Sequence, residues 1–190
     1  MAATQINRSF RIKTPLGDDA LLVESFVGTE RVSEPFRYVL RVLSTDPNVD
    51  MRSLLSQPAV LSLILTDESE RHIHGLISRM KASDYGADGM AAYELEMVPW
   101  LWFLTQFSNC RIFQSKSVPE IVEQIFKDRG YTEYELRLQG SYPTRDYCVQ
   151  YRESDFNFIS RLLEEEGIFY FFEQSEDQHK MVLGDATSAF

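Results

Sequence analysis

Cysteine and histidine are scarce in this 190-residue chain, which has two of the first and three of the second. Cys110 and Cys148 lie far apart with no paired Cys or His spacing around them. That excludes a disulfide-stapled scaffold, which carries its cysteines in dense sets. His72 and His74 face the same side if they lie on a strand, but a metal needs at least one more ligand, and no spacing brings His179 near them. No metal site is expected. Positive charge is also short, with 19 Lys and Arg against 29 Asp and Glu, a net charge of -10. A sequence-independent grip on phosphate backbones or anionic lipid is excluded, so neither nucleic acid nor a membrane surface is expected as a partner.

No apolar run approaches the ~20 residues of a membrane span, and the first nine residues lack the apolar core of a signal peptide. Folding in the cytoplasm without stable membrane insertion is the expectation, and export would need another route. A Gly-rich phosphate loop after a strand is missing, as is a Gly-x-Ser-x-Gly elbow. No cofactor and no nucleophilic serine are expected.

What is present is enough for a core: 44% hydrophobic and 13% aromatic residues, in a length that suits one large domain or two small ones. Phe10 to Lys13 and Leu21 to Gly28 alternate as strands around the turn Pro15-Leu-Gly-Asp-Asp19, which predicts an opening hairpin. Pro35 interrupts, and Phe36 to Leu43 alternates large apolar with charged residues. Asp50 offers a cap for a short helix over Met51 to Gln57, stopped by Pro58. Strands are then predicted at Ala59 to Thr66, His72 to Ser83 and Ala92 to Val98, the last two joined by a turn at Tyr85-Gly-Ala-Asp-Gly89. Six strands at short spacing predict a closed or nearly closed antiparallel barrel.

Pro99 to Phe107 packs four aromatic rings into a short helix or turn, read as core that plugs the barrel or seats the next unit. Ser117-Val-Pro-Glu120 is a capping box, and Val118, Ile121, Val122, Ile125 and Phe126 form an apolar helical stripe that Gly130 stops. Tyr134 to Leu138 alternates as a strand. From Tyr147 the chain reads as strand, helix and strand with almost no slack. Ser154 caps the helix, Asp155 places a negative charge in its first turn, and Phe156, Ile159, Leu162 and Leu163 are expected to pack inward. Gly167 supplies the left-handed stop, with Ile168 closing over Leu163. Ile168 to Phe172 reads as a strand covered on both faces, and Lys180 to Gly184 as its hairpin partner. The fold class is therefore α+β: an antiparallel β-barrel domain over residues 1–108, then a smaller α+β unit over 109–190.

Glu164, Glu165 and Glu166 oppose the dipole of the helix that they end, at about 0.3 to 1 kcal/mol each when exposed. They read as a solvated face that faces a partner, relieved by Arg161 or by a cation from outside the segment. Three consecutive acids without an apolar pocket make poor catalytic carboxylates.

The segment Gln150-Tyr-Arg-Glu-Ser-Asp-Phe-Asn-Phe-Ile-Ser-Arg-Leu-Leu-Glu-Glu-Glu-Gly-Ile-Phe-Tyr-Phe-Phe172 resembles the signature of the VgrG family, the spike proteins of type VI secretion. Val98-Pro-Trp-Leu-Trp-Phe-Leu104, Cys110 to Val122 and Leu54 to Leu61 are similar to that family's amino-terminal, phage-hub-like region. The signature positions are Tyr151, Glu153, Asp155, Phe156, Phe158, Arg161, Leu162, Glu166 and Gly167. The resemblance implies a non-catalytic, homotrimeric hub that adapts the hexameric Hcp tube to a spike and delivers effectors, cytoplasmic until firing and then secreted. It also implies that this chain is part of a longer protein, with spike-tip and effector proteins as further partners. A phage baseplate hub shares the fold. A tail-associated peptidoglycan hydrolase using Glu153, Asp155 or Glu164 is the rival from another class.

Overall fold

Alternating burial along three of the strands sets the first part of the molecule. In the computed structural model, which describes residues 4–83, 86 and 89–190, the strands β1 (Phe10–Lys13), β2 (Leu22–Arg31), β3 (Glu34–Ser44), β4 (Pro58–Ile64), β5 (Glu70–Ala82) and β6 (Ala91–Val98) form one sheet, ordered β1-β4-β5-β6-β3-β2. Leu40, Leu61, Ile73, Ile77, Leu95 and Met97 point to one face and are fully buried. Their neighbours Arg37, Arg41, Lys81, Glu94 and Glu96 are ion-paired on the wet face, the alternation expected of an antiparallel sheet with one solvated side.

The opening hairpin is not formed. β1 pairs with β4, Phe10 opposite Leu63 and Lys13 opposite Val60, while β2 lies at the other edge. Nor does the barrel close: among the described residues no backbone ladder joins β1 to β2. The two edges approach through side chains instead, the Phe10 and Phe26 rings meeting edge-to-face at 5.2 Å. The sheet is a curled, partial barrel whose edges a short loop links without pairing. Gly28 marks a close approach, because a Cβ there would overlap the Tyr38 ring. The Met51 helix is a single 3-10 turn, Met51–Leu54, capped by Asp50 as its spacing predicts. Pro58 begins β4. Of the turn expected at residues 85–89, Tyr85, Ala87 and Asp88 lie outside the described residues.

The chain divides into two compact units, the first being Met1–Glu30, Phe36–Pro99 and Gln174–His179, the second Arg31–Pro35, Trp100–Glu173 and Lys180–Phe190. The long segment of the second unit begins with a 3-10 stretch, Trp100–Gln106. Trp100 is buried there, stacked on Tyr131 at 4.6 Å and edge-on to Phe126 at 4.9 Å. Of the four rings of the run only Trp100 is core of this unit; Trp102 and Phe103 are half-buried and Phe107 is 40% exposed. β7 (Ser108–Lys116), α1 (Val118–Asp128), β8 (Tyr134–Arg137), β9 (Arg145–Ser154), α2 (Asp155–Glu166), β10 (Phe169–Gln174) and β11 (His179–Gly184) follow. β7 pairs with β9, and β10-β11-β8 form a three-stranded sheet in which β8 runs parallel to β11.

Both helices obey the start and stop signals. The Glu120 carboxylate accepts the Ser117 N–H and hydroxyl at 2.7 Å, and the Ser154 hydroxyl accepts the Asn157 N–H at 3.1 Å. Gly130 and Gly167 take φ of 78° and 69°, which only glycine adopts without steric cost. The Ile168 N–H then reaches the Leu163 carbonyl at 2.8 Å, a Schellman closure. β10 differs from expectation: Ile168 and Tyr170 are buried, whereas Phe169, Phe171 and Phe172 are half-buried, so one face stays partly open.

Candidate functional site

α2 begins on an acid that is not on the surface. Asp155 is 0% exposed. One carboxylate oxygen accepts Arg111 Nη2 and Gln150 Nε2, both at 2.7 Å, and the other accepts Arg129 Nε at 2.8 Å and Nη2 at 2.7 Å. Its N–H donates to the Phe107 carbonyl at 2.8 Å. One side chain therefore ties together β7 through Arg111, the C-cap of α1 through Arg129, β9 through Gln150, and the first turn of α2. The helix dipole adds to the attraction. A buried carboxylate held by two guanidinium groups and an amide is fully satisfied, and that is what makes its burial tolerable.

The apolar stripe behind it is Phe158, Ile159, Leu162 and Leu163. Phe156, expected to pack inward, is only half-buried, and Phe158 takes its place, stacked on Phe113 at 5.6 Å. Starting the buried stripe at Asp155 turns it by one position.

Glu153 and Arg161 form a second pair. The Arg161 guanidinium donates to Glu153 at 2.9 and 3.2 Å and to the Val149 carbonyl at 2.9 Å, and lies over the Phe158 ring. Its pairing with Glu153 holds the Arg161 guanidinium more firmly charged than usual. At the far end of α2, Arg145 from β9 donates to Glu166 at 2.6 Å and Glu165 at 2.9 Å. Arg161 reaches Glu165 at 3.5 Å. Glu164 is exposed and has no ion pair among the described residues. Two of the three acids, Glu165 and Glu166, are thus relieved mainly by Arg145, a cation from outside the segment within the same chain.

Of the signature positions, then, Asp155, Phe158 and Leu162 are core, Glu153, Arg161 and Glu166 are ion-paired around it, and Gly167 fixes the exit. Tyr151 is exposed. The carboxylates offered for hydrolysis do not converge: Asp155 is buried with both oxygens occupied, Glu153 is held by Arg161, and Glu164 faces solvent.

The histidines hold a contact that their spacing does not reveal. His74 Nδ1 and His179 Nδ1 are 2.8 Å apart, and the Phe36 ring meets the His179 ring edge-on. Burial pushes His179 down to about 3 and lowers His74 as well. A cleft of about 330 Å³ lies beside His74, lined also by Lys13, Glu176 and Asp177 among others. His72 instead meets the Ser62 hydroxyl at 2.9 Å. Among the described residues no three His, Cys, Asp or Glu side chains are placed to share a metal. No helix among them is long and apolar enough to cross a membrane.

Residues 29–190 match the phage tail baseplate hub (GPD) family. The type VI secretion system spike protein VgrG1b of Pseudomonas aeruginosa is 42% identical over 189 residues, covering 100% of this chain and 25% of that protein. The solved E. coli c3393 protein, described as a component of the type VI secretion system with structural similarity to T4 bacteriophage tail proteins gp27 and gp5, superposes with a TM-score of 0.85 at 31% identity, over 94% of this chain and 50% of that one. A 43 kDa prophage MuSo2 tail protein from Shewanella oneidensis shares the fold, with a TM-score of 0.64 at 10% identity over 92% of this chain and 52% of that one. The chain spans about a quarter of the length of the curated spike proteins that it matches.

Proposed function

Because the chain belongs to the phage tail baseplate hub family and, within it, to the hub-like region of the VgrG spike proteins, we infer that it is a structural part of a type VI secretion puncturing device. The observation that carries this reading is the 42% identity to VgrG1b along the whole of this chain. In the full-length protein three copies form a hub that adapts the hexameric Hcp tube to the spike, and spike-tip and effector proteins ride on it. The first unit supplies the first barrel-like domain of the hub and the second unit part of the next. The protein is cytoplasmic before firing and leaves through the type VI apparatus.

The role is structural and not catalytic. Asp155 and Glu153, the best carboxylates of the signature, are consumed by ion pairs that hold the second unit together, which leaves no free acid and base pair there. Removing the gene from its host and following Hcp in the culture medium tests the reading: Hcp release should stop and return on complementation. Undiminished Hcp release would contradict it. A phage baseplate hub is the second reading, favoured by the family that the chain matches, and a contractile phage tail gene cluster around the gene would select it.

A further inference from the structure

The loop before β1 is pinned from several sides. The buried Gln5 side chain bonds both backbone groups of Ile12, donating to its carbonyl at 3.1 Å and accepting its N–H at 2.6 Å. Asp19 accepts the Gln5 N–H at 2.8 Å and the Thr4 hydroxyl at 2.9 Å, and the Asn7 and Arg8 N–H groups turn back onto the Gln5 carbonyl at 3.1 and 3.0 Å. Past the turn, the Ile64 N–H at the end of β4 donates to the Ser9 carbonyl at 2.9 Å. The loop and these two strands border a cleft of about 470 Å³, lined by Ile6, Asn7, Arg8, Ser9, Arg11 and Ile64. That size suits a small ligand.

Two guanidinium groups line this cleft in a chain of net charge -10. Arg8 is held by the Thr4 carbonyl, which accepts its Nε–H at 3.2 Å, and by the Val23 carbonyl, 3.4 Å from Nη1. It has no ion pair among the described residues. Arg11 meets one acid, Glu70, at 3.7 Å, which is beyond hydrogen-bond length. Its Nε is enclosed with no hydrogen-bond partner among the described residues, although buried donors are ordinarily satisfied by protein, water or an ion. Asp19, the acid beside the loop, is already occupied by Thr4 and Gln5. The apolar part of the lining is Ile6, 69% exposed, and the half-buried Ile64.

We propose that this cleft binds a pair of carboxylates joined by a short aliphatic stem, one facing Arg8 and the other Arg11. A guanidinium presents a planar fork of donors that matches the two oxygens of a carboxylate. Two such cations lining one cleft repel each other until anions neutralise them, and a concave wall focuses their field. Ile6 and Ile64 give the methylenes of the stem an apolar wall, which a compact inorganic oxyanion would leave uncovered. Because Gln5 and Asp19 fix the loop before anything binds, little ordering is left for the ligand to oppose. Glu70 competes with the ligand for Arg11. The site stands apart from the assembly reading above, and neither depends on the other.

Isothermal titration calorimetry at low salt tests this on the chain itself with three probes. Succinate represents a free acid, an acetylated diglutamate amide an acidic segment of another chain, and inorganic phosphate a compact oxyanion. One equivalent of a dicarboxylate is expected to bind, the tighter of the two probes naming the source, with phosphate weaker than both. Arg8→Gln and Arg11→Gln should each weaken binding by about tenfold or more with unchanged circular dichroism. Glu70→Gln should tighten it severalfold, because it removes the competitor for Arg11. Arg37→Gln, whose ion pair with Glu96 lies elsewhere on the sheet, should change nothing. Should Arg8→Gln fail to fold for want of its bond to Thr4, Arg11→Gln and Glu70→Gln decide. No binding of either dicarboxylate, binding unchanged in Arg11→Gln, or phosphate bound as tightly as succinate would overturn the proposal.

Discussion

The two ends of α2 carry the same chemistry, carboxylates beside arginines, in opposite surroundings. At the start, Asp155 is fully buried between Arg111 and Arg129. At the finish, Glu165 and Glu166 meet Arg145 at the surface or partly covered, with side chains 46% and 17% exposed. Distances alone do not separate them, since all these contacts lie between 2.6 and 2.9 Å. Burial does. A buried carboxylate that loses its partners cannot fall back on water, whereas a surface pair exchanges one solvated arrangement for another. The first end holds the second unit together, and the last end is adjustable.

The sharpest way to break that contrast is Asp155→Ala, which strands two guanidinium groups and an amide around a void. It should cost about 3–5 kcal/mol, read as a lower urea midpoint with the m-value retained. A loss below about 1 kcal/mol would place Asp155 with the surface pairs.

A buried ionisable group in the first unit extends the comparison to a charge that burial opposes. His179 is held neutral, down to about 3 against an ordinary value of 6.5. The folded state therefore binds its proton less readily than the unfolded chain does, and stability is lost as pH falls below about 6.5. Between pH 7 and pH 5 the loss should reach about 2 kcal/mol. His179→Gln should flatten this part of the pH profile, and an unchanged profile would contradict the assignment.

Smaller effects follow at the helix stop. Gly167→Ala, at φ 69°, should cost about 1–2 kcal/mol through strain in the left-handed region. Gly184→Ala is no comparable control, because a Cβ there would strike Ala189. Least of all, Glu165→Gln should change stability by less than about 1 kcal/mol, and by less still at high salt.

Much of the local structure is legible in the sequence because its causes are local. The capping box at Ser117, the N-cap at Ser154 and the stops at Gly130 and Gly167 each involve residues within one or two turns, and periodicity places both helices. What escapes is set by distant partners. Asp155 reads as an ordinary first-turn acid until Arg111 and Arg129, 44 and 26 residues away, are brought to it. His74 and His179 meet across 105 residues, which no spacing rule anticipates. β1 reads as the partner of β2 because a turn follows it, yet the ladder that forms is with β4, since a short loop can also join the two edges of a curled sheet. β7 has no readable period because its outward face carries Cys110 and Ile112 where solvent would select polar residues.

The central claim, that the signature helix is a structural joint held by its buried acid, is tested most directly by a double-mutant cycle between Asp155→Ala and Arg129→Ala in urea unfolding. A coupling energy of about 2–3 kcal/mol is predicted. Strictly additive losses would contradict the account, because they would mean that the two side chains stabilise the fold independently of their contact.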